Sequence, residues 1–418
     1  MDERVKVTGG AANMSSYSYK TATSTPVAIT NGMLPPWITS KDELQFVTYV
    51  PEFGFVNAGF DRTWASATTF SAASGSLTDR ASISGASVLN TGTTLSAYAL
   101  LLNSATTLTS SVAGAGGTAT LQVLSGGIIF RADNTTTSPG IYVNKIIAGD
   151  GITPADLYLS GRDNAKSFYI GDLANATTTG QLTSVRSLNF FGVNNLELNA
   201  DQQTFSGNVV ISGGNVLLRT AGTSGTFAPA GDKDVIMNVT RRNWDNAEVG
   251  LYYLRAGGSV TFKNGLVIGL NNPRVEMQVD RDGSSASGNT ITHMGGLYFM
   301  GSTGEQGQSL LQNAGNSFKV AFNGALNLGP DGNYSTLAVN SGNALTFNGL
   351  VTGDGTKSAR LIKSLDGSLE LAGVASLNAN LQFFVEGSVD AAVTFGIDAN
   401  VLQDPANPPA VVGLLAPS

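Results

Sequence analysis

Apolar and polar residues alternate in short segments along most of this chain, most densely between Phe318 and Gly373. Phe318–Phe322, Ala325–Leu328, Ser335–Val339, Ala344–Phe347, Ala359–Ile362 and Ser368–Leu371 each follow a period of two. That period sends successive side chains to opposite faces of an extended backbone, so each segment predicts a strand. Between them lie Asn323-Gly324, Gly329–Asn333, Ser341–Asn343, Asn348-Gly349, Gly353–Gly355 and Asp366-Gly367. These residues tolerate the backbone angles of sharp corners.

The same unit recurs upstream as Leu188–Phe190, Leu196–Leu198, Asn208–Ile211, Asn215–Leu218, Ser259–Phe262, Leu266–Ile268 and Val275–Val279. Strand starts fall roughly seven to ten residues apart, so a coil of three strands takes roughly 20 to 30 residues. Two all-β architectures compete. Asn-Gly pairs close two-residue hairpins in an antiparallel sandwich or barrel, and they also serve as corners between the strands of one solenoid coil. Loops of unequal length, such as Gly222 to Asp234 and Asp280 to Asn289, favour the solenoid, which accepts insertions at its corners.

Three regions follow. Residues 1–64 concentrate aromatics and prolines and predict an N-terminal cap or an arm that packs on a neighbouring subunit, with Trp37, Phe53 and Phe55 as its interface residues. Residues 65–376 form the solenoid, its first rungs rich in Ser, Thr, Ala and Gly. Residues 377–418 hold extended strands and a Pro-rich tail. From Leu377 to Ile397 the alternation runs without a slip, longer than one coil strand. It predicts either a hairpin near Gly387 that caps the stack or a strand added to the next subunit, with Phe383, Val385, Val389, Val393, Phe395 and Ile397 as the assembly face.

Composition narrows the function classes. Charged residues are 13% of the 418 and glycines number 51, while apolar content of 42% suffices for a core. A net charge of −7 removes the electrostatic case for nucleic acid. The absence of cysteine fits export through an oxidising compartment. No stretch is apolar for the roughly 20 residues of a spanning helix, and Met1–Val7 lacks the apolar run of a secretory signal. Export is therefore expected after removal of a leader or by another route. Alternation also marks membrane barrels, but aromatics are 8% and show no regular girdles.

Chemistry-bearing motifs are sparse. With one histidine, His293, and no cysteine, a His or Cys metal cluster is excluded. His293 has no Gly-x-Ser-x-Gly elbow beside it and is read as a surface or strand residue. Gly353–Ser358 lacks the Gly-Lys-Ser/Thr end of a phosphate loop and is read as a corner. Asp280–Gly283 carries part of a calcium-loop pattern without its closing Glu, so no cofactor is expected, with calcium there as the alternative. Arg241, Arg242, Trp244 and Asp245 form the densest polar and aromatic cluster, a stabilising patch or a surface for a sugar ring.

Segments such as Phe205–Leu218 and Leu337–Leu350 resemble the autotransporter-associated β-strand repeats of bacterial surface proteins, over about Gly127 to Gly373. The resemblance implies a right-handed parallel β-helix displayed outside the cell. The expectation is a non-enzymatic extracellular structural protein that assembles with itself into a surface layer or filament. A phage fibre or adhesin that binds glycans is the alternative, and a polysaccharide lyase or hydrolase the third.

Overall fold

The computed structural model describes residues 29–40, 44–50, 53–103, 106–111, 117–131, 138–162, 167–192, 195–201, 203–239, 249–270, 274–281, 288–301, 308–314, 319–329, 334–352, 359–372, 381–385, 393–395 and 412–414. Among them a single short 3-10 turn, Leu173–Asn175, interrupts an all-strand chain. The strands stack in parallel sheets, coil upon coil, and the fold is a parallel β-helix. The chain divides into two compact units, Met1–Gly171 with Thr178–Asn194, and Asp172–Thr177 with Asn195–Ser418.

In the first unit one sheet runs through Arg62–Trp64, Arg80–Ser84, Thr94–Asn103, Thr120–Arg131, Ala155–Arg162 and Val185–Gly192, every neighbour parallel. A second runs through Thr69–Phe70, Ser87–Leu89, Thr107–Ser110, Gly140–Tyr142 and Phe168–Ile170. Leu100, Ile128 and Leu159 align in register and point inward, fully buried. Fully burying a side chain of this size stabilises by about 1.5–3 kcal/mol, and the coil repeats the gain at every rung.

The N-terminal segment departs from the coils. Val47–Val50 pairs antiparallel with Gly54–Asn57, and Met33, Leu44 and Phe46 pack against Tyr98, Ala99, Leu101 and Ile129. Leu101 and Ile129 stand in register at outward positions between inward neighbours, so this arm covers the outer face of a sheet. Arg80 fastens it, donating to the carbonyls of Gly32 and Ala58 while its guanidinium pairs with Asp61 at 2.8 Å.

The second unit has three parallel sheets. The first holds Val209–Ile211, Val235–Met237, Leu266–Ile268, Leu297–Phe299, Leu326–Asn327 and Val351–Thr352. The second runs from Asn195–Leu198 through Asn215–Thr220, Val249–Ala256, Arg274–Arg281, Gln308–Ala314, Tyr334–Val339 and Ala359–Ser364 to Leu381–Val385 and Val412–Leu414. The third contains Thr226–Phe227, Val260–Phe262, Thr290–His293, Lys319–Phe322, Ala344–Phe347, Ser368–Leu371 and Val393–Phe395.

Its corners show why Asn-Gly here is not a hairpin signal. A Cβ on Gly295 would lie 2.5 Å from the Gly265 nitrogen, one on Gly324 2.4 Å from that of Gly296, and one on Gly349 2.3 Å from the Gly324 oxygen. The corners of successive coils stack backbone on backbone, and only glycine leaves the room.

Of the run from Leu377 to Ile397 the structure describes Leu381–Val385 and Val393–Phe395. Leu381–Val385 continues the second sheet, parallel on Ala359–Lys363, and Val393–Phe395 continues the third, parallel on Leu369–Leu371. The two strands occupy different sheets, so they do not form an antiparallel hairpin with each other, and both pair with this chain's own coils.

Candidate functional site

In the first sheet of the second unit, Val209, Val235, Leu266, Leu297 and Leu326 form the inward column, fully buried. The next residue of each strand faces outward, which aligns Val210, Ile236, Val267, Tyr298 and Asn327 in register. The sequence dictates this face. Val-Val-Ile, Val-Ile-Met, Leu-Val-Ile and Leu-Tyr-Phe are apolar at three consecutive positions, so the strands are apolar on both sides.

Ile236, Val267, Tyr298 and Asn327 of this stripe line an open groove of about 540 Å³, within the size range of ligand sites. Asn208 and Asp234 stand along one edge, each two residues before an outward residue and hence on the same face. Exposed Met300 also lines the groove, and Asn327 continues the stripe beyond Tyr298, accepting the Gly329 amide at 2.9 Å. Burial pushes the Asp234 carboxyl above the usual carboxylate range, opposed by a hydrogen bond from the Gly265 amide and by the charge of Lys233. A Cβ at Gly265 would come within 2.5 Å of Asp234 Oδ1, so the close approach of that amide requires glycine. A floor of aliphatic rungs, a phenol, two carboxamides and one carboxyl can hold a ligand. Among the described residues, no three His, Cys, Asp or Glu side chains cluster as a metal site.

The residues singled out from sequence fall elsewhere. Trp37, Phe53 and Phe55 are exposed, at 48%, 59% and 48%. Trp37 packs on Tyr158 at a centroid distance of 5.1 Å, and Phe55 meets Tyr49 edge-on at 5.4 Å. The Tyr158 hydroxyl donates to Asp156, which also accepts from Arg186 and Ser187. Phe383, Val393 and Phe395 lie in paired strands, as does the half-buried Val385. Val389, Ile397, Arg241, Arg242, Trp244 and Asp245 lie outside the described residues, as do Asp282 and Gly283 of the calcium-loop pattern.

His293 is fully buried within a column that aligns Phe227, Phe262, His293, Phe322, Phe347 and Leu371 across successive coils. Its Nδ1 donates to the Asn264 carbonyl at 3.2 Å, and burial lowers its pKa to about 4. It packs the core and faces no cavity wall of the groove. Sequence reasoning passed over Ile236, Val267 and Tyr298, although three-residue apolar runs in consecutive coils were the signal that marks an apolar outer face.

No family model, no curated protein and no solved structure matches this chain.

Proposed function

We propose that this protein is an extracellular structural β-helix that associates with copies of itself into a surface layer or filament. The observation that supports this most directly is the arm of the first unit, where Trp37, Phe53 and Phe55 are held exposed. Trp37 and Phe55, fixed in the open by packing on Tyr158 and Tyr49, resemble the anchors of protein interfaces. A chain of 418 residues without cysteine suits life outside the reducing cytosol. A parallel β-helix with sparse catalytic chemistry suits a load-bearing role.

Analytical ultracentrifugation and negative-stain microscopy test this reading. The wild-type chain is expected to form ordered assemblies, and the triple variant Trp37→Ser, Phe53→Ser, Phe55→Ser to remain folded and monomeric. Identical assembly by both proteins, or a monomeric wild type at high concentration, would overturn it.

A further inference from the structure

We infer that the open groove of the second unit, floored by Ile236, Val267 and Tyr298 and edged by Asn208, Asp234 and Asn327, binds a neutral polysaccharide chain. This inference does not rest on self-association and uses a different face of the molecule.

The two units present outward apolar stripes that the chain treats differently. In the first unit the stripe contains Ser82, Leu101, Ile129 and Ser160 in register, and the arm residues Met33, Leu44 and Phe46 pack onto it, with the charge at its edge, Arg80, bonded to the arm's carbonyls and to Asp61. In the second unit the equivalent rungs Ile236, Val267 and Tyr298 line an open groove, Ile236 and Tyr298 half-buried and Val267 buried. Asp234 stands at their edge, half-buried. An apolar cover would strip the remaining water from that carboxyl and leave it with the Gly265 amide as its hydrogen-bond donor, a costly arrangement. The groove therefore suits an occupant that brings O–H donors to its edges and a flat apolar face to its floor.

A sugar ring has that chemistry, with hydroxyls around its rim and C–H faces above and below. Asn208 and Asn327 supply carboxamides able to donate and accept, Asp234 accepts, and Tyr298 offers both an aromatic face and a hydroxyl. The stripe continues from rung to rung at about 4.8 Å, so it repeats along the stack as a polymer of rings does. The Asp234 carboxyl at the groove's edge disfavours uronic-acid and sulfated chains, which makes the ligand neutral.

Isothermal titration of the full chain with cellohexaose, maltohexaose, chitohexaose and oligogalacturonate tests this. At least one neutral hexasaccharide is expected to bind, with oligogalacturonate at least tenfold weaker. Tyr298→Ala and Asp234→Ala should each weaken binding tenfold or more, while Tyr298→Phe retains most of it and reports that the groove is still formed. The triple arm variant at Trp37, Phe53 and Phe55 should bind as wild type, so that loss of assembly and loss of glycan binding are separate results. Failure of all three neutral probes to bind would overturn the inference. So would binding that Tyr298→Ala leaves intact, or a Tyr298→Ala effect on oligomeric state alone, which would make the groove a contact between copies.

Discussion

His293 stacks on Phe322 with ring centroids 4.8 Å apart and planes within 17° of parallel. Phe322 in turn stacks on Phe347 at 5.4 Å, so an imidazole stands in a column of aromatic rings. The imidazole is neutral there, with its Nδ1 proton given to Asn264 and its pKa lowered to about 4 by burial. A base whose folded pKa lies below its unfolded value of 6.5 is protonated first in the unfolded chain. Stability therefore falls as pH drops from about 6.5 towards 4, by an amount on the order of 3 kcal/mol from this residue. His293→Phe should flatten that part of the pH profile in denaturant titrations. An unchanged slope would show that other groups carry it.

The stacked corners predict a steep dependence on one methyl group. Gly349→Ala places a Cβ against the Gly324 carbonyl and should destabilise by about 2–3 kcal/mol, as overpacking does. Asn348→Ala, at the same corner, removes an exposed hydrogen bond to Asn323 and should cost about 0.5–1 kcal/mol. Equal losses in thermal unfolding would mean that the side-chain ladder, and not the backbone approach, holds the corner.

Arg80 is expected to control the arm more than the coils. Arg80→Met removes the donors to Gly32 and Ala58 and the pairing to Asp61, on the order of 1–2 kcal/mol confined to the arm. Limited proteolysis should cut between residues 29 and 60 faster, with the β signal in circular dichroism unchanged. The Arg80 hydrogen bond holds Asp61 at a pKa of about 2. The pair's contribution is therefore complete above about pH 4 and is lost as pH falls through 2. Acid should release the arm in wild type, and the variant should show no such step.

Lys363 is fully buried, in register with Leu337 and Val385, and its amine donates to the Leu365 carbonyl. Burial pushes that amine below the ordinary lysine range. Stability from this group rises as pH climbs from the folded value to the unfolded one, because the unfolded chain holds the proton longer. Lys363→Met should fold as stably as wild type or better at neutral pH and lose the alkaline rise. A variant markedly less stable at pH 7 would assign the amine a structural role that burial does not explain.

Strand content was legible because Ala344–Phe347 and Ser368–Leu371 state their inward and outward faces residue by residue. The corner at Asn348-Gly349 was also legible, since few other residues make such a turn. Register between coils was not. Loops of unequal length separate Phe262, His293 and Phe322 in the chain, and only the folded coil shows that they share a column. The groove was hidden for a related reason: Asp234 and Tyr298 line it from strands far apart in sequence, and no local pattern marks a pair that distant.

The arm has a consequence for the order in which the molecule is made. Each coil pairs with the coil just before it, so structure can grow as the polypeptide is synthesised. Met33, Leu44 and Phe46, however, rest on Tyr98, Leu101 and Ile129. The earliest of these segments to leave the ribosome must wait for residues up to about 130 before it finds its seat. In pulsed hydrogen exchange during refolding, amide protection at Val47–Val50 is expected to lag behind that at Thr120–Arg131. Until it closes, Ile129 and its neighbours are bare, and the nascent protein is at its most adhesive.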